Sequence, residues 1–494
     1  MLNAMTQTQK ALPRSTPEAQ GVSSAAILSF IDAAAEGGLE LHSVMLLRHA
    51  HVVAEGWWSP YSPDTVHLLY SLSKSFTATA IGLAVAEGRL SVNDPVLTFF
   101  PDEAPAEPHP YVQKMRVLDL LNMATGHLDD TFERFAQQSD WARGFLALPP
   151  ERPPGTMFTY NQGATLTLAA IIHKVTGEGL LGYLRPRLLE PLGIAQAHWL
   201  KTPTGLEQGF SGLHLTTEAV ARFGQLYLQR GRWGERQLIP ETWIDEATRW
   251  LTLPSAEARP VDWSQGYGYQ FWRCRHGAYR GDGAFGQFCV VMPEQDTVLA
   301  LTGAVENMQT VLDLVWTHLL PAMQNAPLAD DSAAHGSLTE QLEHLHLPPV
   351  QGDKTAPSEN DLGKTYRFSS SQRSPDLLEL TLRQNGDGWT ITLRGADGDH
   401  HIRCGYGAWQ EDVTALPNPG PVPFQVSSPE PVPTRTSGAW TAADTFTFKL
   451  YFLETPHALT FTCRFGGADL QLERRWNVQF GALELPTLTG VALT

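Results

Sequence analysis

A hydroxyl and an amine stand three residues apart in Ser71-Leu72-Ser73-Lys74, where the sequence pattern predicts that a helix begins. Apolar residues follow at helical spacing, and Gly88 marks the predicted end. Residues i and i+3 of a helix share a face with Cβ atoms about 5–6 Å apart, so we expect the Lys74 amine to reach the Ser71 hydroxyl. Unpaired N–H groups at the first helical turn can stabilise an oxyanion. The pattern indicates a nucleophile with its base, although a bare S-x-x-K also starts many ordinary helices.

Two more segments downstream of this stretch direct its interpretation. Residues 117–126 read VLDLLNMATG, and residues 154–162 read PGTMFTYNQ. In content and order, the three segments resemble the serine β-lactamase-related hydrolases, specifically the branch of class C β-lactamases, D-aminopeptidases and family VIII esterases. The resemblance runs from about residue 41 to residue 304. It implies a β-lactamase/DD-peptidase-like antiparallel sheet flanked by helices, with a helical subdomain.

The resemblance also implies roles for three residues. Ser71 would be the acylated nucleophile, Lys74 its proton acceptor, and Tyr160 the tyrosine of the family's Tyr-x-Asn motif. A serine hydroxyl needs a base, and lysine, with a reference pKa near 10.4, serves only if its pKa is lowered. Tyr160 is the alternative base, as a phenolate favoured by Lys74, and the sequence leaves both choices open.

Two departures from the family pattern bear on the substrate. Gln162 stands where the motif usually has asparagine, and its longer amide can still contact a substrate carbonyl or the lysine. The family's Lys/His-Thr/Ser-Gly triplet is absent, and Gly281-Asp282-Gly283 is its best match. A glycine thus replaces the cation that usually meets a β-lactam carboxylate. The sequence therefore disfavours β-lactamase activity.

The segment around this triplet supplies further candidate binding groups. The backbone N–H near Gly283 and Ala284 is expected to form an oxyanion hole with that of Ser71, a contribution of about 3–4 kcal/mol in other hydrolases. Asp282 is a candidate for selecting a cationic group such as a free amine of the substrate. The alternative reading of Asp282 is a turn aspartate between two glycines.

Charge and composition exclude several other classes of function. With 35 Lys+Arg against 52 Asp+Glu, the net charge of −17 disfavours nucleic acid and anionic membrane surfaces as partners. The sequence has no run of about 18 apolar residues, and residues 1–20 lack the apolar core of a signal peptide, so we expect a soluble, cytoplasmic protein. The histidines show no metal-ligand spacing and the cysteines no C-x-x-C pair, so we predict free thiols and neither metal nor cofactor.

The organisation of the chain predicts an α+β catalytic domain followed by a smaller all-β domain. We assign residues 1–325 to the catalytic domain and the polar, proline-containing residues 326–360 to a linker. In residues 361–494, apolar and polar residues alternate around turns such as Asn385-Gly386-Asp387-Gly388, which predicts an antiparallel β-barrel or sandwich. This module resembles the barrel appended to D-aminopeptidases.

Together these observations predict a serine hydrolase that forms an acyl-enzyme on a small ester or amide. Its substrate would be a small ester, amide or peptide, as for an esterase or a D-amino-acid amidase or peptidase. The alternatives are a class C-like β-lactamase or penicillin-binding protein, and a non-catalytic binding protein on a degenerate hydrolase fold. Gln162 and Gly281 permit the last of these, but the intact Ser71, Lys74 and Tyr160 argue against it. The oligomeric state stays open.

Overall fold

The chain divides into two compact units that do not follow the order of the sequence. The computed structural model describes residues 11–255, 258–355, 362–369, 377–416 and 431–493. The first unit comprises the chain up to Trp57 and Val66–His344, and the second comprises Trp58–Thr65 and Leu345–Thr494. The range expected to be a linker, 326–360, contains the helix Ser332–Glu343. That helix buries one residue fully, Leu338, so its sequence carries little apolar periodicity.

The α-helices of the described residues lie in the first unit. The central one, α2, is buried on every side from Ser73 to Ala84, which explains why its sequence lacks a polar face. Helix α10 packs on three strands of the main sheet. The helices are α1 Ser24–Glu36, α2 Ser73–Ala86, α3 Pro110–Lys114, α4 Val117–Leu121, α5 Phe132–Phe135, α6 Trp141–Leu146, α7 Gln162–Thr176, α8 Leu180–Leu184, α9 Glu190–Leu192, α10 Thr217–Leu228, α11 Glu241–Ala247, α12 Met308–Leu314 and α13 Ser332–Glu343.

The main sheet of the first unit is antiparallel and has the strand order β2-β1-β11-β10-β9-β8. All residues of β9, β10 and β11 are buried, so both faces of the sheet are covered there. A small sheet, β3-β5-β4, holds the segment before α2. The strands are β1 Glu40–Arg48, β2 His51–Trp57, β3 His67–Leu68, β4 His198–Trp199, β5 Leu213–Leu215, β6 Arg232–Trp233, β7 Arg236–Gln237, β8 Trp272–Arg273, β9 Tyr279–Gly283, β10 Gln287–Met292 and β11 Thr297–Ala304.

The second unit contains a ten-stranded antiparallel sheet that forms a nearly closed barrel, so the expected α+β class with a C-terminal barrel is confirmed. Two backbone hydrogen bonds connect the end of β15 to β17 across the gap in the barrel. The Gly405 N–H donates to the Thr436 carbonyl at 3.1 Å, and the Gly438 N–H donates to the Gly405 carbonyl at 2.9 Å. Burial alternates along its strands, as in β14. The strands are β12 Thr365–Phe368, β13 Glu379–Asn385, β14 Gly388–Gly395, β15 Gly398–Cys404, β16 Gln410–Thr414, β17 Val432–Ala442, β18 Thr445–Phe452, β19 Ala458–Gly466, β20 Asp469–Trp476 and β21 Glu484–Ala492.

Three features of the described residues bear on the class of site. No described helix combines the length and the apolar character needed to cross a bilayer. Within the same ranges, no three or more His, Cys, Asp or Glu side chains converge in a way that could hold a metal ion. The four cysteines, Cys274, Cys289, Cys404 and Cys463, are buried free thiols, as the sequence predicts.

Candidate active site

The candidate nucleophile lies in a tight turn directly before the central helix. Ser71 is the middle residue of the 3₁₀ turn Tyr70–Leu72, and α2 begins two residues later at Ser73. Ser71 therefore precedes the α-helix instead of lying within its first turn. The Lys74 Nζ atom lies 2.9 Å from Ser71 Oγ, so the i, i+3 spacing brings the two groups into contact. Ser71 stays partly exposed, whereas Lys74 is buried.

Hydrogen bonds to neighbouring segments hold this turn in place. The Leu69 N–H donates to the Leu213 carbonyl at 2.8 Å, and the Leu213 N–H donates to Ser73 Oγ at 3.0 Å. Four residues after Ser71, Ser75 Oγ donates a hydrogen bond to the Gln270 carbonyl at 2.8 Å. Ser73 is thus a buried structural residue. Of the two serines of the motif, Ser71 is the one that solvent and substrate can reach.

The environment of Lys74 favours its uncharged form. Burial lowers the Lys74 pKa to about 7, although the carboxylates of Asp130 and Asp282 act in the opposite direction. The amine also lies 2.8 Å from the Phe210 carbonyl and 4.8 Å from the centre of the Tyr160 ring. A neutral amine can donate one N–H to that carbonyl and still direct its lone pair at Ser71. At neutral pH, Lys74 can therefore accept a proton.

Tyr160 lies in an aromatic wall beside the lysine. Its ring stacks on Trp272 at a centroid distance of 5.4 Å and meets Tyr267 edge-on at 6.2 Å. Phe158 extends the wall, at 5.6 Å from Trp272. The Tyr160 hydroxyl hydrogen-bonds with Ser71, and burial raises the Tyr160 pKa well above its ordinary value. The phenol therefore stays protonated at neutral pH.

The residues after Tyr160 divide into a structural and a candidate binding residue. Asn161 caps α7, because its side chain accepts the Gly163 N–H at 2.9 Å. Gln162 is the first residue of α7, and its backbone N–H donates to Asp130 Oδ1 at 2.9 Å. The Gln162 Oε1 atom is buried and has no hydrogen-bond partner within the described part of the chain. That oxygen is shielded from solvent, so it is not exposed to a substrate in this structure.

Asp130 belongs to the site, and sequence reasoning missed it. Its exposed side chain accepts the Gln162 and Phe132 N–H groups and a side-chain hydrogen bond from Gln162, and its charge acts on Lys74. Partial loss of hydration at the carboxylate raises the Asp130 pKa, and the hydrogen bonds from Gln162 and Phe132 together with the charge of Lys74 oppose that rise. The acidic pair Asp129-Asp130, soon after the landmark that ends at Gly126, was the available signal.

Gly281 and Gly283 let β9 approach the nucleophile turn closely. A Cβ atom on Gly283 would lie 1.9 Å from the Leu69 carbonyl oxygen, and one on Gly281 would lie 2.3 Å from Leu72 Cδ1. Real Cβ atoms do not approach other atoms so closely. A lysine at position 281 would require the side chains of Leu72 and Ser75 to shift. The glycine that stands in place of the triplet's cation therefore also lets β9 pack closely against the nucleophile turn.

Asp282 lies inside β9 and is buried, so the alternative reading of a turn aspartate is wrong. Arg280 Nε donates to Asp282 Oδ2 at 2.8 Å, since residues two apart on a strand share a face. Burial raises the Asp282 pKa, and the Arg280 guanidinium opposes that rise. Arg280 also lies 4.1 Å from the Trp263 ring centre. This internal ion pair occupies the carboxylate that the sequence offered to a substrate amine.

Ala284 lies in the hairpin turn between β9 and β10, next to the nucleophile turn. Gly283 pairs with Gln287 across the hairpin, and Phe285 adopts a positive φ of 66° in its turn. The Phe285 ring meets the Tyr70 ring edge-on at 5.5 Å. Tyr70 directly precedes Ser71, so this contact places the Ala284 turn beside the candidate nucleophile.

Fold and site together define a serine hydrolase of the β-lactamase-related class. Residues 29–310 match the profile of the family described as Beta-lactamase. The chain belongs to that family.

Known relatives extend this assignment. A 6-aminohexanoate-dimer hydrolase of Paenarthrobacter ureafaciens is 26% identical over 282 residues, which cover 52% of this chain and 70% of the relative. The octameric penicillin-binding protein homologue from Pyrococcus abyssi matches with a TM-score of 0.50 at 16% identity. The matched region covers 94% of this chain and 99% of the homologue. EstCE1, a hydrolase with promiscuous acyltransferase activity, matches with a TM-score of 0.50 at 15% identity. The matched region covers 60% of this chain and 99% of EstCE1. Both structural likenesses concern the fold.

Proposed function

We propose that this protein hydrolyses small esters or amides through an acyl-enzyme on Ser71. The observation that carries the proposal is the 2.9 Å contact between Ser71 Oγ and a buried amine whose pKa is about 7. Ser71 Oγ would attack the substrate carbonyl carbon while its proton passes to Lys74. Collapse of the tetrahedral oxyanion then breaks the bond to the leaving alcohol or amine, which takes up that proton. Water hydrolyses the resulting serine ester and frees Ser71.

Lys74 and Tyr160 have different parts in this proposal. Because the Tyr160 phenol keeps its proton, Lys74 is the base that activates Ser71. Tyr160 hydrogen-bonds with Ser71 and passes the proton from Lys74 towards the leaving group. The N–H groups of Ser71 and the Ala284 turn would stabilise the oxyanion.

The walls of the site support uncharged acyl groups as substrates. Tyr160 is half-buried and offers an apolar surface beside the nucleophile, while the rings of Phe158, Tyr267 and Trp272 that pack around it are buried. Arg280 is fully buried and paired with Asp282, so it does not replace the cation that a β-lactam carboxylate requires. We therefore propose short-chain esters and linear amides over penicillins and cephalosporins. The Paenarthrobacter relative, named as a hydrolase of a 6-aminohexanoate dimer, is consistent with the second of these.

A fluorophosphonate probe tests the nucleophile. We expect the wild-type protein to take up one label on Ser71, identified by peptide mass mapping, and Ser71→Ala to lose both the label and the turnover of p-nitrophenyl acetate. Ser73→Ala is the matched control, which keeps the label on Ser71 and loses only the hydrogen bond from Leu213. An unlabelled wild-type protein would instead support a non-catalytic binding function, and a label elsewhere would reassign the nucleophile.

A substrate comparison tests the acyl preference. The loss of one charge-assisted contact costs about 1.5–3 kcal/mol, or roughly one to two orders of magnitude in rate constant. We expect kcat/KM for nitrocefin to fall below that for p-nitrophenyl acetate by at least this factor. More efficient hydrolysis of nitrocefin would show that another residue supplies the missing charge.

A further inference from the structure

The side chain of Gln287 links the hairpin turn that carries Ala284 to the main sheet. Gln287 is the first residue of β10 and is completely buried. Its Nε2 atom donates to the Ala284 carbonyl at 3.0 Å and to the Gly303 carbonyl at 2.9 Å. Its Oε1 atom accepts the Gly303 N–H at 3.4 Å. Because carbonyl groups only accept and N–H groups only donate, these partners fix the orientation of the amide.

The Ala284 turn, residues 284–286, has a backbone conformation that phenylalanine disfavours. The Gly286 N–H donates to the Gly283 carbonyl at 3.3 Å, and between these two residues Phe285 has a φ of 66°. At this position of a turn, a positive φ usually requires glycine or asparagine. The carbonyl that Gln287 holds belongs to the peptide group directly before Phe285, and rotation of that peptide group changes the φ of Phe285. Gln287 therefore opposes the return of Phe285 to a negative φ.

This conformation of the turn is coupled to the nucleophile. The Phe285 ring meets the Tyr70 ring edge-on at 5.5 Å, and Tyr70 directly precedes Ser71. The Phe285 carbonyl accepts the Val305 N–H at 2.9 Å, so the end of β11 anchors this carbonyl as well as that of Ala284. A negative φ at Phe285 would move its ring away from Tyr70 and would move the N–H groups of the Ala284 turn relative to Ser71.

We propose that Gln287 is a positioning residue that holds the Ala284 carbonyl and thereby directs the N–H groups of the Ala284 turn at the oxyanion formed when Ser71 attacks a substrate. This inference rests on the proposed function, because it requires an oxyanion at Ser71. Gln287 acts through the backbone of the turn. A hydrogen bond to the oxyanion gains its strength in the transition state, so its misalignment lowers the rate constant and leaves substrate binding unchanged.

Gln287→Met is the first variant to test, because methionine is similar in length but donates no hydrogen bond. We expect the rate of fluorophosphonate labelling to fall by about 10- to 100-fold, since a displacement of about 1 Å can cost 100-fold. Acylation and deacylation both pass through an oxyanion, so kcat for p-nitrophenyl acetate should fall with little change in KM. The control is Gln225→Met, at a buried glutamine of α10, which should keep the wild-type rates. Equal rates in the two variants would overturn the proposal.

A thiono ester distinguishes the positioning of oxyanion donors from a merely structural role. Sulfur accepts hydrogen bonds weakly, so a site that stabilises the oxyanion through N–H groups favours an oxygen ester over its thiono analogue. We expect the ratio of the acylation rates of phenyl acetate and O-phenyl thionoacetate to fall several-fold in Gln287→Met and to stay unchanged in Gln225→Met. A slower Gln287→Met with the wild-type ratio would make Gln287 a structural residue and reject the proposal.

Hydrogen exchange tests the turn without activity. The Gly286 and Val305 N–H groups make the hydrogen bonds that hold the turn, so both amides should exchange faster in Gln287→Met than in the wild type and Gln225→Met. Unchanged exchange at both amides would reject the role of Gln287 even if Ser71 is the nucleophile. A wild-type protein without a label on Ser71 would instead refute the proposed function, and the oxyanion role of Gln287 with it, whatever the exchange rates. If Gln287→Met folds poorly, Gln287→Asn serves in the same measurements, because its amide is one methylene too short to hold both carbonyls.

Discussion

The buried amine of Lys74 links the chemistry of the site to the stability of the protein. Burial lowers its pKa to about 7, which gives the enzyme a base at neutral pH. The same burial makes the protonated amine unfavourable in the folded state, because an ammonium group loses its hydration there. Lys74 is therefore expected to support activity and to reduce stability, and the two effects have separate tests.

The acid limb of activity should report the titration of Lys74. Since only the neutral amine accepts the Ser71 proton, kcat/KM for p-nitrophenyl acetate should rise about tenfold per pH unit below pH 7 and level off above it. Tyr160→Phe should lower the rate but keep this midpoint, because the phenol does not titrate in this range. A pH titration of both proteins checks this. A midpoint that moves by several units in Tyr160→Phe would make the tyrosine the base.

The stability effect should appear as a pH-dependent gain in Lys74→Met. The folded pKa of Lys74 lies below its unfolded value near 10.4, so between about pH 10 and pH 7 the unfolded chain binds a proton that the folded chain does not. The free energy of unfolding of the wild type then falls with decreasing pH, by up to about 1.4 kcal/mol per unit. Lys74→Met lacks this term, so its Tm relative to wild type should be higher at pH 7 than at pH 9.5. Equal Tm differences at both pH values would contradict the lowered pKa.

At this scale, the sequence predicted contacts that follow from helical spacing and missed those that depend on other segments. Ser71 and Lys74 are three residues apart, so one local rule places them together. Asp130 reaches the site through a loop that packs on the start of α7, which no spacing rule describes. The ion pair of Asp282 was missed because flanking glycines suggested a turn. On a strand, Arg280 and Asp282 share a face, and their pairing follows from that geometry.

Among the elements, β9 sets the geometry of the site through the absence of side chains. Its two glycines lie against the nucleophile turn, and the hairpin that follows carries Ala284 to the same place. The sequence predicted the backbone near Gly283 and Ala284 beside Ser71, but it did not place a strand there. The close approach of β9 to the nucleophile turn was not expected, since it depends on the position of the Leu69 backbone, which is far away in the sequence.

Gly283→Ala should disable the site while Gly336→Ala should not. The added methyl at position 283 would meet the Leu69 carbonyl at 1.9 Å, so β9 or the turn must shift. A shift of about 1 Å can cost about 100-fold in rate, and fluorophosphonate labelling measures that loss. Gly336 lies within α13 with open space around its Cβ position, so alanine there should raise stability by about 0.5–1 kcal/mol and leave labelling intact. Equal labelling of both variants would refute the close approach.

At the scale of the whole molecule, the chain enters the second unit twice. Trp58–Thr65 lies between β2 and β3 in the sequence but belongs to the barrel unit. There Tyr61 is buried against Tyr451, and its hydroxyl donates to the Thr455 carbonyl at 3.0 Å. Sequence reasoning placed one boundary region at 326–360 because composition changes there. Residues 58–65 are also polar and contain two prolines, but a stretch of eight such residues is typical of an ordinary loop between two strands and does not by itself indicate a change of unit.

Tyr61→Ala should destabilise the barrel unit. Removing a buried aromatic side chain costs about 3–5 kcal/mol, through lost burial and the cavity left behind. Hydrogen exchange should accelerate accordingly for amides in β18, which contains Tyr451, and in β19, which follows Thr455. Val413→Ala, at an exposed position of β16, should change stability by no more than about 0.5 kcal/mol. Unchanged exchange in Tyr61→Ala would show that Trp58–Thr65 contributes nothing to the barrel.

On the ribosome, Tyr61 is made 394 residues before Thr455, whose carbonyl accepts its hydroxyl. At about 5–20 residues per second, this interval lasts roughly 20–80 s. Throughout it, the aromatic side chains of Trp58–Thr65 lack the partners that later bury them, only a few residues upstream of Ser71. The nascent chain therefore presents this segment to chaperones and proteases until almost the whole protein has been synthesised.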